Sequence, residues 1–380
     1  MLPIIRFGLG NLQLLPVYGA APRVPWHDRG HLEFHNGGVF MRQRLSRREL
    51  LQKVSCAALV GSPLMGSWVA AKPAGIKIAN AAGSLNLTMG ELMRQQQFLE
   101  SFGLAPEMLN VADGTRILGG LVGGSIDIST MSGFGQAFAA IERGAPLRIL
   151  AGGAMLPGLA LFSAKPGVTV LKNLEGKTIG TGSIGALVYQ LTMTLLQKYR
   201  VDTSAIRFVN VGSSADILRA VAAGTVDAGA ADVALVDQAA EHHVHLIEHG
   251  NMSAELKEYT YQGAWTVAQN IASERDALVR TLAAYAKLYR FVQSPGSHEA
   301  FFRARRKVFP AAPDSESQAQ WDYVQAYKPF AVDLTLSPER LRYMQALNVS
   351  FHVQKEILPF ERVADMSLAA DALKLLGGKA

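Results

Sequence analysis

The chain has 380 residues, 49% hydrophobic and 18% charged, enough for two globular domains with full cores. Its formal charge of +6 is uneven: residues 1–71 hold eight Lys/Arg against three acids, and the rest holds 29 against 28. That near-neutral remainder excludes a broad basic face for phosphate backbones, so no nucleic-acid partner is expected.

The early excess lies in an export signal. From Met41 the chain reads "MRQRLSRRELLQKVSCAALVGSPLMGSWVAAKPAG". A basic start leads into Ser46-Arg47-Arg48-Glu49-Leu50-Leu51 and Lys53, which resemble a twin-arginine export signal. Val69 and Ala71 are small residues at the −3 and −1 positions for cleavage after Ala71. Gly61, Pro63 and Gly66 break the apolar run, which argues against a spanning anchor. Residues 1–40 are read as an over-called extension with Met41 as the start, and 41–71 as the signal. Cys56, the sole cysteine, falls within it. A mature chain starting at 72 would have no disulfide and no thiol chemistry.

From residue 76 strands and helices alternate. "IKIANAA" is a strand, "TMGELMRQQQFLESFG" a helix, "EMLNVA" a strand, "TRILGGLVGG" a short helix, "IDIST" a strand and "FGQAFAAIERG" a helix. A long apolar stretch, 147–164, comes next. The order then restarts with "KTIGTG" (strand), "IGALVYQLTMTLLQKYR" (helix), "IRFVNV" (strand), "SADILRAVAAG" (helix), "VDAGAAD" (strand) and "VALVDQAAEH" (helix). "AWTVAQNIAS" returns as a strand, and helices fill the rest from Arg275. This order predicts an α/β fold of two lobes, each a mostly parallel sheet flanked by helices. Lobe 1 is predicted over 72–163 and 266–380, lobe 2 over 164–265, with crossings near 163–167 and 262–266 that would form a two-strand hinge.

One phrase occurs twice at an offset of 100 residues. Ile117, Leu118, Gly124, Ile126 and Asp127 match Ile217, Leu218, Gly224, Val226 and Asp227. Two copies are too few for a solenoid and suit one supersecondary unit per lobe. The Gly is expected to end a helix in a left-handed cap, and the Asp to open the next strand.

"LGGLVGGSIDISTMSGFGQAFAAIERGAPLRILA", "LEGKTIGTGSIGALVYQL" and "ILRAVAAGTVDAGAADVALVDQAAE" occur in the order found in periplasmic solute-binding proteins of the nitrate/sulfonate/taurine and thiamine-precursor group. The tail "QKEILPFERVADMSLAADAL" also resembles the closing helices of that group. The resemblance implies a type II binding-protein fold with the ligand cleft between the lobes. It also implies an ABC importer, with a permease and its ATPase as partners; a monomer is expected. Some relatives on this fold are enzymes that use a cysteine nucleophile or a cysteine-rich motif, and the mature chain has neither. No catalytic residue, cofactor or metal is expected, and binding of a small polar organic solute, sulfonate/taurine-like or pyrimidine-like, is the favoured reading. A ligand-sensing module for a membrane receptor and an enzyme on the same scaffold are the alternatives.

Candidate contacts lie where strands of such a fold end. Residues 180–186, "GTGSIGA", offer Gly182, Ser183, Ile184 and Gly185, with backbone N–H groups suited to an oxyanion. Plain helix capping explains them as well. Residues 129–135 offer Thr130, Ser132 and Gly133, and residues 83–87 offer Ser84 and Asn86; loop hydrogen bonding is an equal alternative. Ser213 and Ser214 are read as caps. Trp265 could line the cleft or fill the hinge strand. Asp232 matches Ser132 by the offset, and the segments 83–87, 129–135, 180–186 and 229–233 contain no Arg or Lys. That favours a ligand carrying a donor as well as an acceptor, although Asp232 could simply cap the helix expected from Val233. His242, His243, His245 and His249 are read as a solvated helix end and edge, and "RARRK" at 303–307 as a solvated helical face.

Overall fold

The structure, a computed structural model, describes residues 73–112 and 114–377. The expected extension, export signal and Cys56 lie outside the described residues.

The first run comprises β1 (Ala74–Ala81), α1 (Ser84–Gln95), α2 (Phe98–Ser101), β2 (Leu104–Val111), α3 (Gly114–Val122), β3 (Ile128–Ser132), α4 (Gly135–Glu142) and β4 (Leu147–Gly152). The second comprises β5 (Leu159–Ser163), β6 (Thr178–Thr181), α5 (Leu187–Lys198), β7 (Arg207–Asn210), α6 (Ser214–Ala222), β8 (Ala228–Asp232), a 3-10 helix (Val233–Gln238), β9 (His245–Asn251) and α7 (Met252–Glu255). The chain then returns through β10 (Gly263–Val267) and α8 (Ala268–Ser273). It closes with α9 (Arg275–Val292), α10 (His298–Val308), α11 (Asp314–Tyr327), α12 (Pro338–Ser350), α13 (Phe360–Val363) and α14 (Ser367–Gly377). Two five-stranded sheets result, ordered β2-β1-β3-β10-β4 and β7-β6-β8-β5-β9.

The β1–β2, β1–β3, β6–β7 and β6–β8 pairs are parallel, whereas β10 and β5 run antiparallel to their neighbours. Strands β3, β5 and β10 are buried at every residue, as expected of strands covered on both faces. Along β1 the faces alternate: Ile76 and Ile78 pack with Met89, Leu92 and Met93 of α1 and with Leu278 of α9, whereas Ala79 joins Ile117, Leu121 and Phe138 in a second cluster. Met89, Leu92 and Met93 are three and four apart, the spacing that puts them on one helix face.

The apolar run at 147–164 is not one stretch. Its first part is β4 in the first sheet and its last part is β5 in the second, where β5 pairs with β8 and β9. The outward crossing is therefore 153–158, earlier than the 163–167 expected, and residues 159–163 lie outside the first sheet. Gly153, Pro157 and Gly158 make that turn. The return crossing is complete by Gly263, where β10 begins. Two further differences lie at the end of the second run. The predicted helix at 233–242 is a 3-10 helix that stops at Gln238. Of the histidine-rich segment, His242 and His243 lie in turns after that helix, whereas His245 and His249 belong to β9, an edge strand.

The repeated phrase falls into register. α3 and α6 are nine residues each, β3 and β8 five each, and every boundary differs by 100. Gly124 (φ +75°) and Gly224 (φ +69°) are left-handed at the helix ends. Asp127 Oδ2 accepts the Lys77 N–H at 2.7 Å, and Asp227 Oδ2 accepts the Thr178 N–H at 2.8 Å. Each Asp thereby ties its strand to the neighbouring strand that runs parallel to it.

Candidate functional site

Three helices begin at the carboxyl ends of strands on facing sides of a cleft: α1 after β1, α5 after β6 and α6 after β7. Their first-turn amides cannot bond within their own helices. Together they place partial positive charge around one small volume. Two connecting cavities of about 70 and 40 Å³ lie there. The larger is walled by Gly83, Gly133, Gly182, Leu187, Gly212 and Ser213, the smaller by Ser84, Gly158, Ser214, Asp232 and Tyr323. Gly83, Asn86, Leu159, Ser214, Tyr261 and Gln262 line both.

Gly133 has a packing reason. A Cβ there would lie 2.7 Å from Leu187 Cβ, so the end of β3 and the start of α5 approach closely only without a side chain. On the same side Gln190 Nε2 donates to Asn348 Oδ1 (2.8 Å), and Asn348 Nδ2 donates to the Gly135 carbonyl (2.8 Å). These buried bonds join α5 to α4 and α12 across the cleft.

Asp232 joins it from the other side. Its Oδ2 accepts from Ser84 Oγ at 2.5 Å and from Gln320 Nε2 at 2.9 Å, and its Oδ1 caps the 3-10 helix through the Ala234 N–H at 3.0 Å. Capping and cleft contact therefore coexist at one carboxylate. Among the described residues none bonds the buried Gln262 Oε1. Burial pushes the Tyr261 and Tyr323 phenols up, and the negative charge of Asp232 adds to the effect, so both remain protonated donors.

The sequence-predicted residues divide into three sets. Ser84, Asn86, Gly133, Gly182 and Asp232 line the cavities. Asn86 also anchors its loop, its Nδ2 donating to the Ala81 and Met131 carbonyls. Ser183, Ile184 and Gly185 occupy the turn before α5, where Ile184 is 60% exposed, Gly185 is left-handed (φ +81°), and Ser183 Oγ accepts from Asn210.

Thr130, Ser132 and Trp265 belong to the first-sheet core instead. Trp265 is fully buried in β10 and donates through Nε1 to Ser132 Oγ (2.8 Å). Ser132 lies 2.6 Å from Ser129 Oγ, which in turn donates to the Ala79 carbonyl. Thr130 donates to Asn80 Oδ1 at 2.6 Å. A strand flanked on both sides in its sheet turns these polar groups inward, so they satisfy one another rather than the cleft. Ser213 is a cap, as expected: its hydroxyl accepts from the Asp216 N–H, and Asp216 Oδ2 accepts from the Ser213 N–H.

Sequence reasoning did not find Tyr261, Gln262, Gln320, Tyr323 or Arg305. Tyr261 and Gln262 sit in the return crossing, a place the element order marks. The other three come from α10 and α11, where no nearby motif signals a cleft. Arg305 overturns the solvated reading of 303–307 at one position: it is 4% exposed, donating through Nη1 to Gln320 Oε1 (3.1 Å) and through Nη2 to Glu316 Oε2 (3.2 Å). The cleft flank thus has a cation that its four strand-end segments lack.

Two sheets joined by two crossings, with helix N-termini converging between their strand ends, define a two-lobed solute-binding protein. The fold is similar to that of the alkanesulfonate-binding protein SsuA from Xanthomonas axonopodis pv. citri bound to MOPS (TM-score 0.62, 18% identity, 80% of this chain and 99% of that one). It is also similar to the nitrate-binding protein NrtA from Synechocystis PCC 6803 (TM-score 0.64, 11% identity, 80% and 89%) and to the sulphonate-binding protein SsuA from Escherichia coli (TM-score 0.61, 15% identity, 77% and 92%). No curated protein sequence matches it. The family model of the phosphonate ABC transporter periplasmic substrate-binding protein matches residues 100–316, more than half of the chain, and the chain belongs to that family. Membership implies a periplasmic substrate-binding component of an ABC importer, with a small-molecule ligand and a permease and ATPase as partners. The family is one of binding proteins rather than enzymes.

Proposed function

We propose that the chain captures a small organic oxyanion bearing a hydrogen-bond donor, such as an aminoalkyl phosphonate or sulfonate, and delivers it to its permease. The observation that carries this reading is the convergence of the α1, α5 and α6 N-termini on two small cavities, the smaller bordered by the Asp232 carboxylate. The tetrahedral head would take the helix amides and the Ser214 hydroxyl, since the Ser84 and Ser213 hydroxyls already donate to Asp232 and Asp216. The donor would take Asp232. A bare planar anion such as nitrate offers nothing to that carboxylate, whereas an amine satisfies it. The cavities are far below the roughly 300–1,000 Å³ of small-molecule sites, so binding is proposed to couple to opening and closing about the two crossings. Export by the twin-arginine route and a monomeric state are part of the same proposal.

The test is thermal shift and calorimetry of residues 72–380 with methylphosphonate, methanesulfonate, taurine, 2-aminoethylphosphonate and nitrate. A specific solute raises the melting temperature by mass action. The aminated acids are expected to bind more tightly than methylphosphonate and methanesulfonate, and nitrate most weakly. Nitrate binding as tightly as the aminated acids would overturn the donor requirement. No binding by any of the four organic acids would overturn the reading.

A further inference from the structure

Beside Asp232 lies a third cavity of about 350 Å³, the size of a small-molecule site, which the two head cavities fall short of. It adjoins both of them: Ala82 and Ser214 line it together with the larger, and Ser84, Ser214 and Asp232 together with the smaller. Leu87, Leu218, Leu235 and Phe309 supply an apolar wall, and each is only partly buried, so the wall is not sealed over. The arginines on it are already matched, Arg219 with Asp216 and Arg305 with Glu316, so an anionic tail would find neither free. The junction itself is marked by Asp232, which is partly buried. Its Oδ2 accepts from Ser84 and Gln320 and its Oδ1 from the Ala234 N–H, three of the roughly four lone-pair sites of a carboxylate. Asp232 therefore has room for one ligand N–H, and next to that N–H the space is apolar.

We propose that this cavity is a subsite for an apolar substituent on the solute's nitrogen, so that the solute class is an N-alkylated aminoalkyl phosphonate or sulfonate. The inference rests on the proposed reading of an oxyanion with a donor and narrows it. The head stays among the helix amides. The ammonium sits at the junction and gives one N–H to Asp232. The N-substituent runs past Ser214 onto Leu218 and Leu235. A primary amine would leave the apolar wall uncovered and would bring three N–H groups to a carboxylate with one site left. An alkyl tail without nitrogen would cover the wall but shut the Asp232 charge away from water without a cation beside it.

The experiment is calorimetry of residues 72–380 with three probes, each made with a phosphonate and with a sulfonate head: the 2-aminoethyl parent, its 2-(butylamino)ethyl derivative, and the heptyl compound, in which a methylene replaces the nitrogen. In the series that binds, the N-butyl compound is expected to bind at least tenfold more tightly than the parent, a modest share of what burying four aliphatic carbons supplies. It should also bind at least tenfold more tightly than the heptyl compound, the scale of a hydrogen bond to a charged group. Ala215, an exposed residue of α6 on the cavity wall, allows a variant that leaves the Asp232 bonds intact. Ala215→Phe should bring the N-butyl-to-parent ratio, both measured on that variant, to about one. Leu218→Gln, which keeps the side chain's size and makes the wall polar, should lower the same ratio several-fold. A parent that binds with no gain from the butyl group would overturn the subsite and leave the oxyanion reading standing. A heptyl compound as tight as the N-butyl one would overturn the placement of nitrogen at Asp232, and the proposal with it. A butyl preference unchanged in both variants would overturn the assignment to this cavity. No binding by any compound of either series would overturn the oxyanion reading, and the subsite with it.

Discussion

The two copies of the repeated unit, α3–β3 in the first sheet and α6–β8 in the second, share lengths, a left-handed glycine and a strand-opening aspartate, yet end differently. Ser132 closes β3 inside the core, linked to Trp265 and Ser129. Asp232 closes β8 at the cleft, linked to Ser84 and Gln320. The neighbours account for the difference. β3 is followed by α4, and its Ser132 lies beside the wholly buried Trp265 of β10. β8 is followed by a 3-10 helix that needs an acceptor at its start, and its end faces α1 and α11. A repeated unit can therefore keep its turn chemistry in both lobes while one copy turns its last side chain into core structure and the other presents it to the cleft.

The largest expected effects test that division. Ser132→Ala leaves the buried Trp265 N–H without an acceptor and should cost about 1–3 kcal/mol of stability in urea denaturation, without a change in solute affinity. Asp232→Asn should bring at least a tenfold loss of affinity for 2-aminoethylphosphonate; Asn can keep the cap on Ala234, but its amide nitrogen would face the Gln320 Nε2 donor, so stability should also fall, by about 1–2 kcal/mol. Equal affinity in the Asn variant would leave Asp232 as a cap and a strut between Ser84 and Gln320. The shared part of the repeat gives the next effect. Asp127→Ala and Asp227→Ala each strip an acceptor from a strand-edge N–H. Asp227, the more buried contact, should cost about 1.5 kcal/mol and Asp127 somewhat less, both read from the urea midpoint.

Much of the fold is legible because it is local. Strand–helix alternation, the two-lobe α/β class, the glycine caps and the Ser213 box all depend on residues within a few positions of one another. The less legible parts depend on distant partners. The run 147–164 contains no charge to separate β4 from β5 apart from Arg148, so only the glycines and Pro157 inside it mark the change of sheet. β9, with the sequence HLIEHGN, is hidden because its apolar pair and its Glu-His pair break the alternation of a strand, which an exposed edge strand tolerates. At the site, the strand-end segments are correctly located by the element order, but which side chains face inward depends on the flanking strands, so Thr130, Ser132 and Trp265 go to the core. Arg305 looks like its neighbours Arg303 and Arg306 in sequence. Only the packing of α10 against α11, around Gln320, distinguishes it.

The smallest expected effect concerns the paired glycines and isolates what the repeat shares. Gly124 and Gly224 both have φ near +70°, where an L side chain meets its own backbone. A Cβ at Gly124 would have nothing within 4 Å, and one at Gly224 would meet only Lys165 Nζ at 3.5 Å, the mobile end of a long side chain. Neither site adds a packing penalty, so the cost of alanine should be the conformational one alone. Gly124→Ala and Gly224→Ala are each expected to lower stability by about 1 kcal/mol, equal within measurement, and Asn at either position by less, because Asn tolerates the left-handed region. Alanine costs that differ by more than about 1 kcal/mol, measured by denaturant midpoints at constant slope, would show that the two helix ends are held by different surroundings. The equivalence of the two copies would then end at their sequence.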